Sequence, residues 1–88
     1  MFNNEELELY FEGGNWFRQE LRVQVGDLLM AERLRQGLTL EDVSKLIKIP
    51  AKLIEKQEQH RKRINFCILG ALLKIYKKQL KITLIDME

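Results

Sequence analysis

The sequence predicts an all-α fold, a compact bundle of four to five helices, and three observations carry that prediction. Apolar residues recur at three- and four-residue intervals through most of the chain, the spacing that lines one face of a helix. Residues that end or begin helices, Gly37, Thr39, Pro50 and Asn65, fall between those periodic runs. With 88 residues, 45% hydrophobic and 32% charged, there is enough apolar material for one small core and too much charge for a membrane protein. Apolar stretches such as residues 67–73 fall far short of the ~20 residues that a bilayer span needs.

Charge divides the chain. Residues 1–20 hold five acids (Glu5, Glu6, Glu8, Glu12 and Glu20) against Arg18, a charge of −4, whereas residues 21–88 hold 14 bases and 8 acids, a charge of +6. An acidic N-terminal arm (1–20) and a basic helical domain (21–88) are expected from that split. A basic body suits a polyanionic surface. The arm suits a solvated tail, a dimer contact or an internal competitor for the basic face. Within it, Leu7 to Phe11 alternates weakly and stops at Gly13 and Gly14, which fits a short strand and a disordered arm equally. Tyr10, Trp16 and Phe17 are expected to cover the bundle end or to enter a dimer interface.

The first helix is predicted from about Arg18 to Gln36, with Leu21, Val25, Leu28, Leu29 and Leu34 on its apolar face and Gly37 ending it. Gly26 either weakens its middle or marks its true start. Thr39 and Asp42 have the spacing of a capping box ahead of a second helix, Leu40 to Ile47, whose apolar face is Leu40, Val43, Leu46 and Ile47. Pro50, lacking an N–H and with φ already set, opens a third helix to about Gln59, with Leu53 and Ile54 available to the core. His60, Arg61, Lys62 and Arg63 then break the apolar pattern. A fourth helix of about 15 residues follows, with Asn65 as its cap and Ile64, Ile68, Leu69, Leu72, Ile75 and Tyr76 on its apolar face. Thr83 and Asp86 hint at a final helical turn.

One cysteine cannot form an internal disulfide, and with one histidine there is neither zinc-ligand spacing nor a Cys/His nucleophile arrangement. The expectation is accordingly no enzyme, no catalytic residues, no metal and no cofactor. Cys67 reads as a small core residue, and His60 as a surface or capping one. The N-terminus has no basic region ahead of an apolar core, so a cytoplasmic protein without membrane contact is expected.

Two short helices joined by a very tight turn inside such a bundle describe a helix-turn-helix, whose second helix carries side chains into the DNA major groove. Here that helix is residues 50–59, and Lys52, Glu55, Lys56 and Gln59 lie on its outward face. Lysine donates to guanine, glutamine pairs with adenine, and Glu55 accepts from cytosine or repels phosphates. Arg61, Lys62 and Arg63 come next and are placed to grip the backbone, with Thr39 of the preceding helix also counted on the DNA side. Double-stranded DNA and a second copy of the chain are the expected partners, because one small recognition helix reads few base pairs.

Gly26, Leu29 and Arg33, then GLTLEDVS over residues 37–44, then Ile49, Ile54 and Glu58 together resemble the phage-repressor-like (Xre/Cro) helix-turn-helix family over about residues 26–85. The resemblance implies sequence-specific transcriptional regulation and a structural ion pair between Arg33 and Glu58. The chain departs from that pattern at Leu40, where glutamine is common, at Lys48 and His60, where glycine is common, at Pro50, and at Gln57, which replaces an apolar residue. GLTLEDVSKLIKI with LIEKQE also resembles the RodZ cytoplasmic helix-turn-helix branch, which implies a protein-interaction module that binds an actin-like filament protein. In that reading Leu40, Leu53 and the neighbouring lysines form the contact, with the two leucines making an apolar spot if Leu53 is exposed beside Leu40. An antitoxin whose acidic arm wraps a basic toxin is a third expectation.

Overall fold

A computed structural model describes residues 17–81, 84 and 86, and these hold four α-helices and no strand. They are α1 (Phe17–Arg35), α2 (Leu40–Ile47), α3 (Ala51–Glu58) and α4 (Phe66–Tyr76). α3 packs on both α1 and α2, and α4 closes the other side of the same pair. The expected strand or arm at residues 1–16, with Tyr10 and Trp16, lies outside the described residues, as does Thr83 of the expected last turn. Leu84 and Asp86 belong to no helix. Residues 17–20, assigned by charge to the arm, form the first turn of α1.

The core draws on every helix: Val25 and Leu29 from α1, Val43 from α2, Ile54 from α3, and Ile68, Leu69, Leu72 and Tyr76 from α4. Val43, Ile54 and Leu72 are completely enclosed, and each contributes roughly 1.5–3 kcal/mol of hydrophobic stabilisation. Leu38, Ile49 and Ile64, which lie between helices, pack against this cluster and fasten the connections to it. Leu34, Leu46 and Leu53, expected on core-facing stripes, are instead exposed. Each helix buries only a narrow stripe in so small a bundle, and Val43 with Ile47, or Ile54 alone, fills the available width. Cys67 is also exposed, a correction to the core reading: it lies in the first turn of α4 one residue ahead of buried Ile68, beyond the edge of the stripe.

Local chemistry sets the helix ends. The Thr39 N–H donates to Asp42 Oδ2 (2.9 Å) and the Asp42 N–H to Thr39 Oγ1 (3.0 Å), so a full capping box starts α2. The bond from the Thr39 N–H to the ionised carboxylate, with the Thr39 hydroxyl beside it, holds Asp42 below its ordinary value. Asn65 Oδ1 accepts from the Ile68 N–H (3.0 Å) and starts α4. Pro50 is the residue just before α3, not its first helical residue, and its carbonyl accepts from the Leu53 N–H (3.0 Å).

Left-handed residues end all four helices, yet only one is glycine. Gly37 (φ 72) follows α1, Lys48 (φ 59) α2, His60 (φ 62) α3 and Lys77 (φ 59) α4. At three of these ends the next amide reaches back five residues: Leu38 to the Arg33 carbonyl (3.1 Å), Arg61 to Lys56 (3.0 Å) and Lys78 to Leu73 (2.9 Å). That is the Schellman arrangement. α2 ends on the single bond from the Lys48 N–H to the Ser44 carbonyl (2.8 Å), the simpler left-handed cap.

Gly26 decides how closely α1 approaches α3. The helix runs through it unbroken, and a Cβ there would lie 2.6 Å from His60 Cδ2, 2.7 Å from the Gln57 carbonyl oxygen and 2.9 Å from that of Glu58. Only a residue without a side chain permits that backbone-to-backbone seam.

Candidate nucleic-acid interface

Three residues, Lys48, Ile49 and Pro50, join α2 to α3. Ser44 Oγ donates to the Ile49 carbonyl (2.7 Å), and with Ile49 set against the core this holds the turn in one shape. Arg33 fixes the far end of α3: its Nε donates to Glu58 Oε2 (2.8 Å) and its Nη2 to Glu58 Oε1 (3.0 Å), while Nη1 reaches the Leu38 carbonyl (2.9 Å). The two side chains are only 8% and 2% accessible. One guanidinium therefore ties together the end of α1, the connection to α2 and the end of α3. Its bond to the Glu58 carboxylate raises the Arg33 pKa further, so it stays charged throughout the accessible pH range.

On the outer side of α3 the polar residues stand in helical register. Lys52 and Gln59 are exposed, with half-buried Glu55 and Lys56 between them. Leu53, 40% exposed, shares this side. Leu40 is half-buried and packs against the core cluster, so it does not form an apolar patch with Leu53. Thr39 lies exposed at the start of α2 with its oxygen committed to the cap.

Arg61, Lys62 and Arg63 are all exposed, and two bonds that the sequence does not announce hold the loop that carries them. Gln57 Nε2 donates to the Arg63 carbonyl (3.0 Å), and Gln57 Oε1 accepts from the Asn65 N–H (3.0 Å). The glutamine thus occupies both its donor and its acceptor on one loop. At the other end of that loop, His60 Nε2 lies 2.9 Å from Asp27 Oδ1 with its ring against Gly26. Gln57 and Asp27 are the residues sequence reasoning missed. A polar side chain one step from buried Glu58, where an apolar one is usual, was the available signal for Gln57. For Asp27 there was none.

Lys56, Lys62 and Arg63 line an open groove of about 440 Å³ together with Leu53, Gln57, Asn65 and Ile68. The fold thus gathers three of the candidate cations around one depression, while Lys52, Gln59 and Arg61 stand outside its lining and Thr39 on another helix. No known protein-family model matches the chain, and no curated protein resembles it significantly. Among the described residues no helix is long and apolar enough to cross a membrane.

Proposed function

We propose that this chain is a helix-turn-helix DNA-binding regulator, with α2 and α3 as the pair and α3 as the helix that enters the major groove. The observation that carries the reading is the continuity of the surface: Lys52, Lys56 and Gln59 along α3 run directly into Arg61, Lys62 and Arg63 on a loop pinned by Gln57. In the complex Lys52, Lys56 and Gln59 address base edges, with Glu55 selecting cytosine or excluding misplaced phosphates. The loop cations neutralise phosphates, and Thr39 offers its hydroxyl proton to another. A homodimer doubles the few base pairs that one such helix reads.

Fluorescence anisotropy of random and genomic duplexes at about 50 and 200 mM salt tests this, because phosphate contacts show themselves as a salt slope over that range. Binding that falls steeply with salt and persists on a few fragments is the expected result. Replacing Arg61, Lys62 and Arg63 with alanine is expected to weaken binding to every duplex and to flatten the log–log slope by about 2.7, roughly 0.9 for each phosphate no longer neutralised. No binding to any duplex at low salt would sink the proposal.

A specific observation favours a second reading, a protein-interaction module of the RodZ-like type. Leu53 is 40% exposed at the groove and Phe66, at the start of α4, is 74% exposed, both more apolar than a phosphate-facing surface requires. Under this reading Leu53→Asp abolishes partner capture with helical content unchanged, whereas equal capture by that variant removes Leu53 from the contact.

A further inference from the structure

The groove between α3 and α4 combines two chemistries. Its lining brings apolar Leu53, and the small accessible part of Ile68, together with the cations Lys56, Lys62 and Arg63 and with Asn65, and it contains no carboxylate. Gln57, also in the lining, has both ends of its amide committed to the loop. A ligand for this surface needs apolar side chains with carboxylates beside them at short spacing.

The chain itself contains such a segment. Residues 1–16 carry four glutamates, Glu5, Glu6, Glu8 and Glu12, and no lysine or arginine. Their order matters as much as their number. In an extended chain alternate side chains share a face, which puts Leu7, Leu9 and Phe11 on one side with Glu5 at its end, and Glu6, Glu8 and Glu12 on the other with Tyr10 among them. From this complementarity of charge and pattern we infer that residues 5–12 dock in the α3–α4 groove of their own chain, with the leucines over Leu53 and Ile68 and the glutamates among Lys56, Lys62 and Arg63.

The reach is sufficient. Phe17 begins α1, and nine residues of helix carry it ~14 Å to Gly26, where the backbone meets that of the groove residue Gln57. The nine residues from Phe17 back to Glu8 span up to ~30 Å when extended, about twice that helical distance.

Docking covers the three cations assigned above to phosphates and base edges, so the arm and DNA exclude each other. That consequence rests on the DNA reading, whereas the contact itself does not. An arm closed nine-tenths of the time weakens apparent DNA affinity about tenfold.

The sole cysteine, Cys67, is exposed and lies one residue from Ile68 of the groove lining, so a nitroxide attached there senses the arm without any DNA present. In the full chain at low salt, backbone amide signals of residues 5–12 are expected to be broadened by that label. They should recover at about 0.5 M salt, where screening lengths fall to roughly 4 Å. The E5Q/E6Q/E8Q/E12Q variant should show no broadening at either salt concentration and should bind random duplex about tenfold more tightly. Unbroadened arm signals in the unaltered chain at low salt overturn the proposal. So does broadening only in a mixture of labelled unenriched chains with unlabelled isotope-enriched ones, since the arm of a second copy is then the occupant. Broadening together with no DNA binding by either chain upholds the docking and removes the DNA reading alone.

Discussion

At Gly26 a single hydrogen in place of a methyl sets the distance between two helices. Gly26→Ala gains helix propensity but drives a Cβ to within 2.7 and 2.9 Å of two backbone oxygens that belong to helix α3 and cannot rotate away. The clash dominates. A loss of about 2–3 kcal/mol, read from urea unfolding, is expected, as for an overpacked core. A midpoint equal to that of the unaltered chain would mean that α1 and α3 separate without cost. Tyr76 presents the opposite case, a side chain with one atom too many. Its ring is buried, its hydroxyl has no hydrogen-bond partner among the described residues, and burial pushes its pKa up to about 12. Tyr76→Phe removes the orphaned group and is expected to raise stability by about 1 kcal/mol. Because the folded pKa is raised, the unfolded chain loses this proton first. The tyrosine's contribution is whole below pH 10 and disappears as pH rises through about 12. The advantage of the phenylalanine variant should therefore widen over that alkaline interval in a pH series of unfolding curves.

At the scale of an element, α3 and the loop after it act as one piece because Gln57 holds them together. Two hydrogen bonds of 3.0 Å each connect its amide to the backbone at Arg63 and Asn65. Both partners lie at the surface, so Gln57→Ala is expected to lower global stability by no more than about 1 kcal/mol. The loop should feel it more. Faster hydrogen exchange at the Asn65 amide, with α1 and α2 unchanged, is the expected sign of cations freed from their register, and under the proposed DNA function weaker binding to all duplexes alike accompanies it. Unaltered exchange at Asn65 would show that the loop is held by its own left-handed turn at His60. Helix α2 needs no such support, because its cap, its apolar stripe and its termination all lie within Gly37 to Lys48.

Across the whole molecule, that difference in locality explains what could be read from the sequence. The second helix follows from neighbours at most five residues apart: Thr39 and Asp42 imply its start at Leu40, and the apolar run that stops at Ile47 implies its end. The all-helical class and the placing of Val25, Leu29, Val43, Ile54 and Leu72 in one core follow equally from period. Contacts between distant positions do not. His60 meets Asp27 across 33 positions, and Gln57 turns to the loop ahead of α4 instead of to the core; no local pattern encodes either. The contact between Arg33 and Glu58, 25 positions apart, came into view only through resemblance to a family pattern, since neither residue's neighbours mark it. Cys67 and Leu46 fail for another reason: periodicity tells which side of a helix is apolar but not how wide a strip the neighbouring helices will cover.

Lys48 and Lys77 hold positive φ at the ends of α2 and α4, a conformation that costs a non-glycine residue about 1–2 kcal/mol. Glycine at both would relax the backbone and, near the carbonyl ends of the two helices, would also take away the charge that answers the helix dipole. The larger effect is colloidal. The chain carries a formal net charge of only +2, and those two lysines account for all of it. A version tightened by this route is electroneutral near pH 7, the condition under which small domains self-associate and precipitate, so the charges of the two strained lysines help keep the molecule dispersed.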